Sequence, residues 1–458
     1  MRARLLLALS LFLLLAGAAA GYYLTHKPIT PDQAAALGRA ALDAAPGLGL
    51  TLLAGGLGRR LLADRLPLAS LAAGERCLLE AALGWGALGL AMLGLGLAGW
   101  IYAPLVLALA LGLGLLLWRP ARAWLSDLGA ATRALWTGDG LARWAAICLG
   151  ASLGLGLLRA LAPPLMWDAL VYHLTLPKLY AEQHSLRLPV DLMFSGMPQL
   201  NEMLYLMAYV WRGASAAQAL GWCFGAMLAV GLAAHTGALL GEDYAAPAAG
   251  LLFSAVSLAL ALAWAYAELL LMVMALALLI CLRQWRLPAA PGAARRWLAL
   301  AGVCGGLAMG CKYTGVIAPA AAGLVIMAGL GRRIASRAGL RDLAAFAAPA
   351  SLAVSPWLIK NAWFTGNPFY PLAFPAAAMD GLRLWFYNRP DLAGFDPLIF
   401  LRAIFQGVQG GNALDASLGP AWVVLPATLA LGWRRLAPAR RAALRLPALF
   451  TLAASAGW

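Results

Sequence analysis

Three observations predict an all-α, polytopic membrane fold. Hydrophobic residues make up 63% of the 458-residue chain, and charged residues only 12%. Apolar runs of membrane-spanning length recur from one end to the other, and a bilayer admits only helices or closed barrels. The arginines gather, often in pairs, between those runs, as they do in cytoplasmic loops.

The apolar runs fall at 5–20, 44–58, 77–98, 101–118, 144–164, 216–240, 245–264, 266–282, 297–311, 314–330, 343–359, 418–433 and 446–458, which predicts about 13 transmembrane helices. Arg2 and Arg4 precede the first run, and the small residues 16–20 have the composition of a signal-peptide cleavage site. The topology closes with that run retained as a span, and this is the expectation. The segment 199–212 is expected to be a short interfacial helix. The last run offers only about 13 residues before Trp458, so the expectation is a fragment of a longer protein. Residues 1–143 read as N-terminal transmembrane helices, and residues 144–458 as a second region with two long loops, 165–215 and 360–416. Both loops contain Pro, Gly, Asn and aromatic residues, unlike the Ala/Leu-rich spans, and loops of this length are usually functional.

Charge asymmetry sets the expected orientation. With the N-terminus inside, about 23 of the 34 basic residues lie in inner loops and roughly ten outside. Both long loops then face outward, together with Asp168, Glu268 and Lys312. The formal net charge of +15 would suggest nucleic acid in a soluble protein. Here the aromatic residues interleave with membrane runs instead of a basic groove, so nucleic acid is excluded as a partner. The six cysteines, Cys77, Cys148, Cys223, Cys281, Cys304 and Cys311, lie mainly within apolar runs and form no close pair. Packing is the expected role for all six, with neither a disulfide framework nor a metal motif.

The chemistry-bearing residues begin with Asp168, in Trp167-Asp168-Ala169-Leu170-Val171-Tyr172-His173-Leu174-Thr175-Leu176-Pro177-Lys178. Ionisable groups at a membrane edge are costly to maintain and mark functional sites. Glu202 follows Pro198 at the start of a helix, where an acid is also favoured by the helix dipole. Among the acids, Glu80 and Glu268 lie deepest in apolar sequence. Arg76, one turn before Glu80, is expected to pair with it, whereas Glu268 has no local cation and needs a partner from elsewhere in the fold. The chain has only four lysines, Lys27, Lys178, Lys312 and Lys360. Lysine suits phosphate oxygens as a compact donor, although snorkelling to the interface is the plainer role. His173 can orient or pack, and Trp167, Tyr172, Trp363 and Tyr370 can stack on a ligand or anchor the interface.

Taken in order, the 167–180 stretch, the Pro198/Glu202 helix, Ala265-Tyr266-Ala267-Glu268-Leu269, Gly310-Cys311-Lys312-Tyr313-Thr314-Gly315 and Pro356-Trp357-Leu358-Ile359-Lys360-Asn361 through Pro371 resemble the GT-C superfamily. The resemblance covers roughly 144–375 and is nearest to bacterial membrane glycosyltransferases of the family 39 type, related to protein O-mannosyltransferases and the lipid A aminoarabinose transferase. It implies a GT-C-like fold with long outer loops bearing short interfacial helices. It further implies a polyprenyl-phosphate sugar donor, a glycan, lipid or protein acceptor, and an active site on the outer face of the cell membrane. Asp168 matches the family's catalytic base. Glu268 stands where the family often has Asp, which keeps the charge and lengthens the reach. Tyr172, His173, Lys178, Glu202, Lys312, Tyr313 and Lys360 are the implied substrate-binding residues. No metal ligand is assigned and no cofactor is fixed, a divalent metal being left open. The rival reading is a transporter or flippase for a polyprenyl-linked or anionic substrate, which would favour broken helices and midplane charges.

Overall fold

The computed structural model describes residues 30–63, 65–188, 192–287, 292–372 and 421–457, with isolated positions before residue 30. Among them every regular element is helical. The chain begins with α1 (Pro31–Leu62) and α2 (Ala73–Leu97), followed by α3 (Ala103–Leu116), α4 (Trp118–Ala134) and α5 (Gly140–Ala160). A π-helical turn (Ala169–His173), α6 (Thr175–Gln183) and α7 (Leu200–Arg212) lead into the long α8 (Ala214–Leu240). The remainder comprises α9 (Ala245–Leu252), α10 (Val256–Ala261), α11 (Glu268–Arg286), α12 (Ala293–Cys311), α13 (Ile317–Leu330), α14 (Arg337–Thr365), α15 (Ala421–Gly432) and α16 (Pro438–Gly457). Local sequence sets several starts. Thr30 and Gln33 cap α1 reciprocally ahead of Pro31, and the Asp139 carboxylate accepts from the Ala142 amide to start α5.

Seven stretches are long and apolar enough to cross a membrane, and the chain is a multi-pass membrane protein. They are α1, α2, α5, α8, α11, Tyr313–Ala335 around α13, and α14; the pair α3 and α4, bent by 77°, makes an eighth if read as one span. The expected count of about 13 is not reached among the described residues, for local reasons. The 245–264 run is not one rod but breaks between α9 and α10 at Phe253–Ala255. The 101–118 run stops as α3 after 14 residues. The buried α12 opens on Arg295 and Arg296 and is rich in glycine, and α16 carries Arg440, Arg441 and Arg445. The 5–20 run, apart from isolated positions, and residues 373–416 of the 360–416 loop lie outside the described residues.

Small residues let these helices approach closely, the main packing device of membrane bundles. A Cβ at Gly58 would sit 1.7 Å from the Glu80 carbonyl oxygen, and one at Gly84 would sit 1.8 Å from that of Ala54, so α1 and α2 touch backbone to backbone. Gly302 and Gly306 do the same for α12 against α14. Trp85, packed edge-on to Phe224 at 4.8 Å, fills the centre between α2 and α8.

Two ends of the bundle carry its charges. At the arginine-rich end Glu80 pairs not with Arg76, as its spacing suggests, but with Arg59 across the α1–α2 contact, through bonds of 3.0 and 3.1 Å. The close approach at Gly58 places the neighbouring Arg59 against Glu80, while Arg76 reaches Asp127 on α4 at 2.9 Å. Glu75 accepts from His235 at 2.7 Å and from Arg283 at 2.8 Å, joining α2 to α8 and α11. Five cysteines are buried packing residues, whereas Cys148 is exposed on α5.

Candidate functional site

The opposite end gathers the residues singled out from the sequence. The π-helical turn follows directly on Asp168 and places Tyr172 and His173 on its buried side. Segment 199–212 forms the helix α7, but it is not an interfacial helix. Its residues Leu200–Ala208 are buried, because α2, α6 and α8 pack around it. Glu202, in its first turn, is therefore carried into the interior and not onto a membrane surface.

Burial requires a partner for Glu202, and His173 supplies it. Nδ1 of His173 lies 2.6 Å from Oε1 of Glu202, with both side chains almost fully enclosed. Nδ1 is engaged by Glu202, which leaves Nε2 as the nitrogen outside the pair. Among the described residues, His173 Nε2 and Glu202 Oε2 are both buried without a hydrogen-bond partner. Tyr172 stacks on Phe194 at 4.5 Å. Burial, reinforced by the charges of Asp168 and Glu202, holds the Tyr172 phenol well above its ordinary pKa, so it stays a neutral donor.

The second pair joins α11 to the end of α12. Glu268 Oε1 accepts from Lys312 Nζ at 2.9 Å, which supplies the distant cation that the sequence around Glu268 lacks. The other oxygen, Oε2, is buried without a partner among the described residues. Lys312 sits where α12 ends and the chain turns extended, and it shares a narrow crevice with Tyr172, His173, Phe194, Met197 and Glu202. The His173–Glu202 pair and Lys312, itself bonded to Glu268, thus border one small space.

Asp168 lies one turn before Tyr172 of the crevice, half-buried, with its backbone N–H donating to Tyr266 Oη at 3.3 Å. Its carboxylate makes no hydrogen bond or ion pair with the described residues. Tyr266, with Asn201 and Tyr205, completes the frame. Its carbonyl accepts from Tyr205 Oη at 2.6 Å and from Asn201 Nδ2 at 3.4 Å, fixing the turn that carries Glu268. None of these three was singled out from the sequence, although Tyr266 lies inside the quoted 265–269 turn and Asn201 adjoins Glu202.

Other expected ligand contacts fall elsewhere. Lys360 is buried, and its Nζ donates to the Ser195 and Met197 carbonyls at 3.0 and 2.9 Å. It is spent on the loop before Pro198 and is a positioning residue, not a free phosphate donor. Lys178 is 57% exposed and lies 3.9 Å from Glu182, outside the crevice. Tyr313 donates to the Tyr370 carbonyl at 2.7 Å and receives Asn361 Nδ2 at 2.9 Å, locking α14 to the turn after α12. Tyr370 is itself buried, while Trp167 and Trp363 are exposed as interface anchors would be. Among the described residues no three His, Cys, Asp or Glu side chains converge as a metal site.

An unpaired carboxylate, a carboxylate–imidazole pair with an open nitrogen and a lysine at the crevice can together accept a proton and hold an anion. No family model, curated protein or solved structure matches this chain.

Proposed function

We propose that the chain is an integral membrane glycosyltransferase with a GT-C-like fold, moving a sugar from a polyprenyl-phosphate donor to an acceptor hydroxyl at the outer face of the cell membrane. The observation that carries this reading is the convergence of the His173–Glu202 pair and Lys312, itself bonded to Glu268, on one crevice, with Asp168 one turn before Tyr172 of its lining. In the reaction the acceptor oxygen bonds to the anomeric carbon as the bond from that carbon to the phosphate oxygen breaks. The acceptor proton passes to Asp168, the general base. The departing polyprenyl phosphate keeps the electron pair and is held by Lys312. Glu268 orients Lys312, Glu202 orients His173, and the buried Tyr172 donates to a sugar or phosphate oxygen.

Sidedness supports the same reading. The arginine-rich end of the bundle belongs in the cytoplasm by the positive-inside rule, and the crevice lies at the other end. The transporter reading has the broken helices it needs, at α3–α4 and α9–α10, but the crevice's charges lie on neither.

The test is transfer of labelled sugar from polyprenyl-phosphate sugars by membranes containing the overexpressed chain, with Asp168→Asn as control. The amide is nearly isosteric, so the variant should be present at wild-type level and lose at least about 10²-fold in turnover. Near wild-type transfer by Asp168→Asn would overturn the assignment of the base. Absence of transfer by the wild-type chain across a panel of donors would overturn the activity.

A further inference from the structure

A large apolar cavity lies at the other end of α7 from Glu202. It has a volume of about 1080 Å³ and opens between α1, α3, α4 and the last residues of α7. Pro46, Leu50 and Leu53 of α1, Leu107 and Leu111 of α3 and Leu125 of α4 form its walls. Its size is at the top of the range for small-molecule sites, about 300–1,000 Å³. The α3 wall runs from Ala103 to Leu115, a rise of about 18 Å. That is close to the depth of one leaflet, half of a hydrocarbon core of about 30 Å. Leu111 and Leu115 are 60% and 77% exposed, so the groove opens sideways to whatever surrounds the helices.

The two mouths differ in charge. Arg212, at one, is neutralised by Asp43 at 2.6 Å. At the other, α4 turns 77° from α3 and presents Arg122 on the cavity wall and Arg119 over the Trp118 ring at 5.4 Å. Both guanidiniums are exposed, and neither makes a hydrogen bond or ion pair with the described residues. The nearby acid of α4, Asp127, is already taken by Arg59 and Arg76. The mouth is thus cationic with no free carboxylate to meet an ammonium headgroup.

We infer that this cavity binds one anionic phospholipid, with its acyl chains along α1 and α3 and its phosphate between Arg119 and Arg122. Trp118 at the bend sits where aromatic side chains meet lipid headgroups. The inference rests on the membrane-spanning character of the helices and not on the activity of the crevice, whose residues the groove does not share.

Two glycines on the walls, Gly49 and Gly114, have open space where a Cβ would stand. Leucine at both therefore fills the groove without a clash and removes two weak helix positions. The experiment is native mass spectrometry of the detergent-purified chain with phosphatidylglycerol or phosphatidylcholine, on wild type, Arg119→Gln/Arg122→Gln and Gly49→Leu/Gly114→Leu. Wild type should retain one phosphatidylglycerol in preference to phosphatidylcholine. The arginine variant should bind it about thirtyfold more weakly, the effect of two near-surface arginines. The leucine variant should lose it while unfolding no earlier than lipid-free wild type. Equal retention of the two lipids by wild type, or undiminished phosphatidylglycerol on the leucine variant, would overturn the site.

Discussion

Replacing Gly306 by alanine adds one methyl group at a backbone-close part of the α12–α14 contact. That methyl would lie 2.2 Å from the Ala350 carbonyl oxygen and 2.7 Å from the Ala353 Cβ. Ordinary contact begins near 3.4 Å, so α14 must yield by about 1.2 Å, and the obstacle is a backbone carbonyl that cannot rotate away. Overpacking of this kind costs about 1–3 kcal/mol. Alanine also removes the roughly 1 kcal/mol penalty of glycine in a helix, which would mask part of the loss. Gly323→Ala isolates the two effects, because Gly323 lies in the body of α13 with open space around its missing Cβ. The helix-propensity gain is common to both variants, so the gap between them is the overpacking cost, about 1–3 kcal/mol. Denaturant titration of both variants in one detergent measures that gap directly. Equal midpoints for Gly306→Ala and Gly323→Ala would refute the close-packed α12–α14 interface, and with it the placement of Lys312 relative to Lys360.

The buried His173–Glu202 pair should behave as a unit: the double variant His173→Ala/Glu202→Ala should lose about 1.5–3 kcal/mol less stability than the sum of the two single losses, as for a charged hydrogen bond. A coupling near zero in that cycle would show the 2.6 Å contact to be energetically idle. Lys312→Met should weaken apparent donor affinity by roughly 1.5–3 kcal/mol while leaving acceptor affinity unchanged, and an unchanged donor titration would leave Lys312 only its bond to Glu268. In a chain first freed of the exposed Cys148, cysteines at Trp167 or Glu182 should react with an impermeant thiol reagent applied to intact cells, and one at Arg332 should not. The reverse labelling pattern would invert the orientation and put the crevice on the cytoplasmic side.

Composition and charge made the helical membrane architecture and its two contrasting ends legible. So did the lack of any cation near Glu268, which correctly implied a distant partner; Lys312 is 44 positions away. Spacing along one helix failed where another helix intervened. Arg76 and Glu80 satisfy the i, i+4 rule, yet the contact at Gly58 delivers Arg59 to Glu80 first. The short 199–212 segment fits a membrane surface equally well. Only the 2.6 Å bond to His173 explains how Glu202 can be buried instead. Lys360 resembled a phosphate ligand because sequence cannot reveal that two carbonyls of the 195–197 loop enclose its ammonium.

The treatment of acid oxygens separates the two ends of the bundle. At the arginine-rich end both oxygens of Glu75 and both of Glu80 receive hydrogen bonds from side chains of neighbouring helices. Those carboxylates are consumed in holding α2 to α1, α8 and α11. At the crevice end Glu202 and Glu268 each engage one oxygen and leave the other buried and bare among the described residues. A buried, unmet polar atom costs about 1–3 kcal/mol, more if charged. The fold thus satisfies its carboxylates at one end and leaves two half-satisfied at the other, among the described residues. Under the proposed activity, the hydroxyls of a sugar are donors of the kind those two oxygens lack.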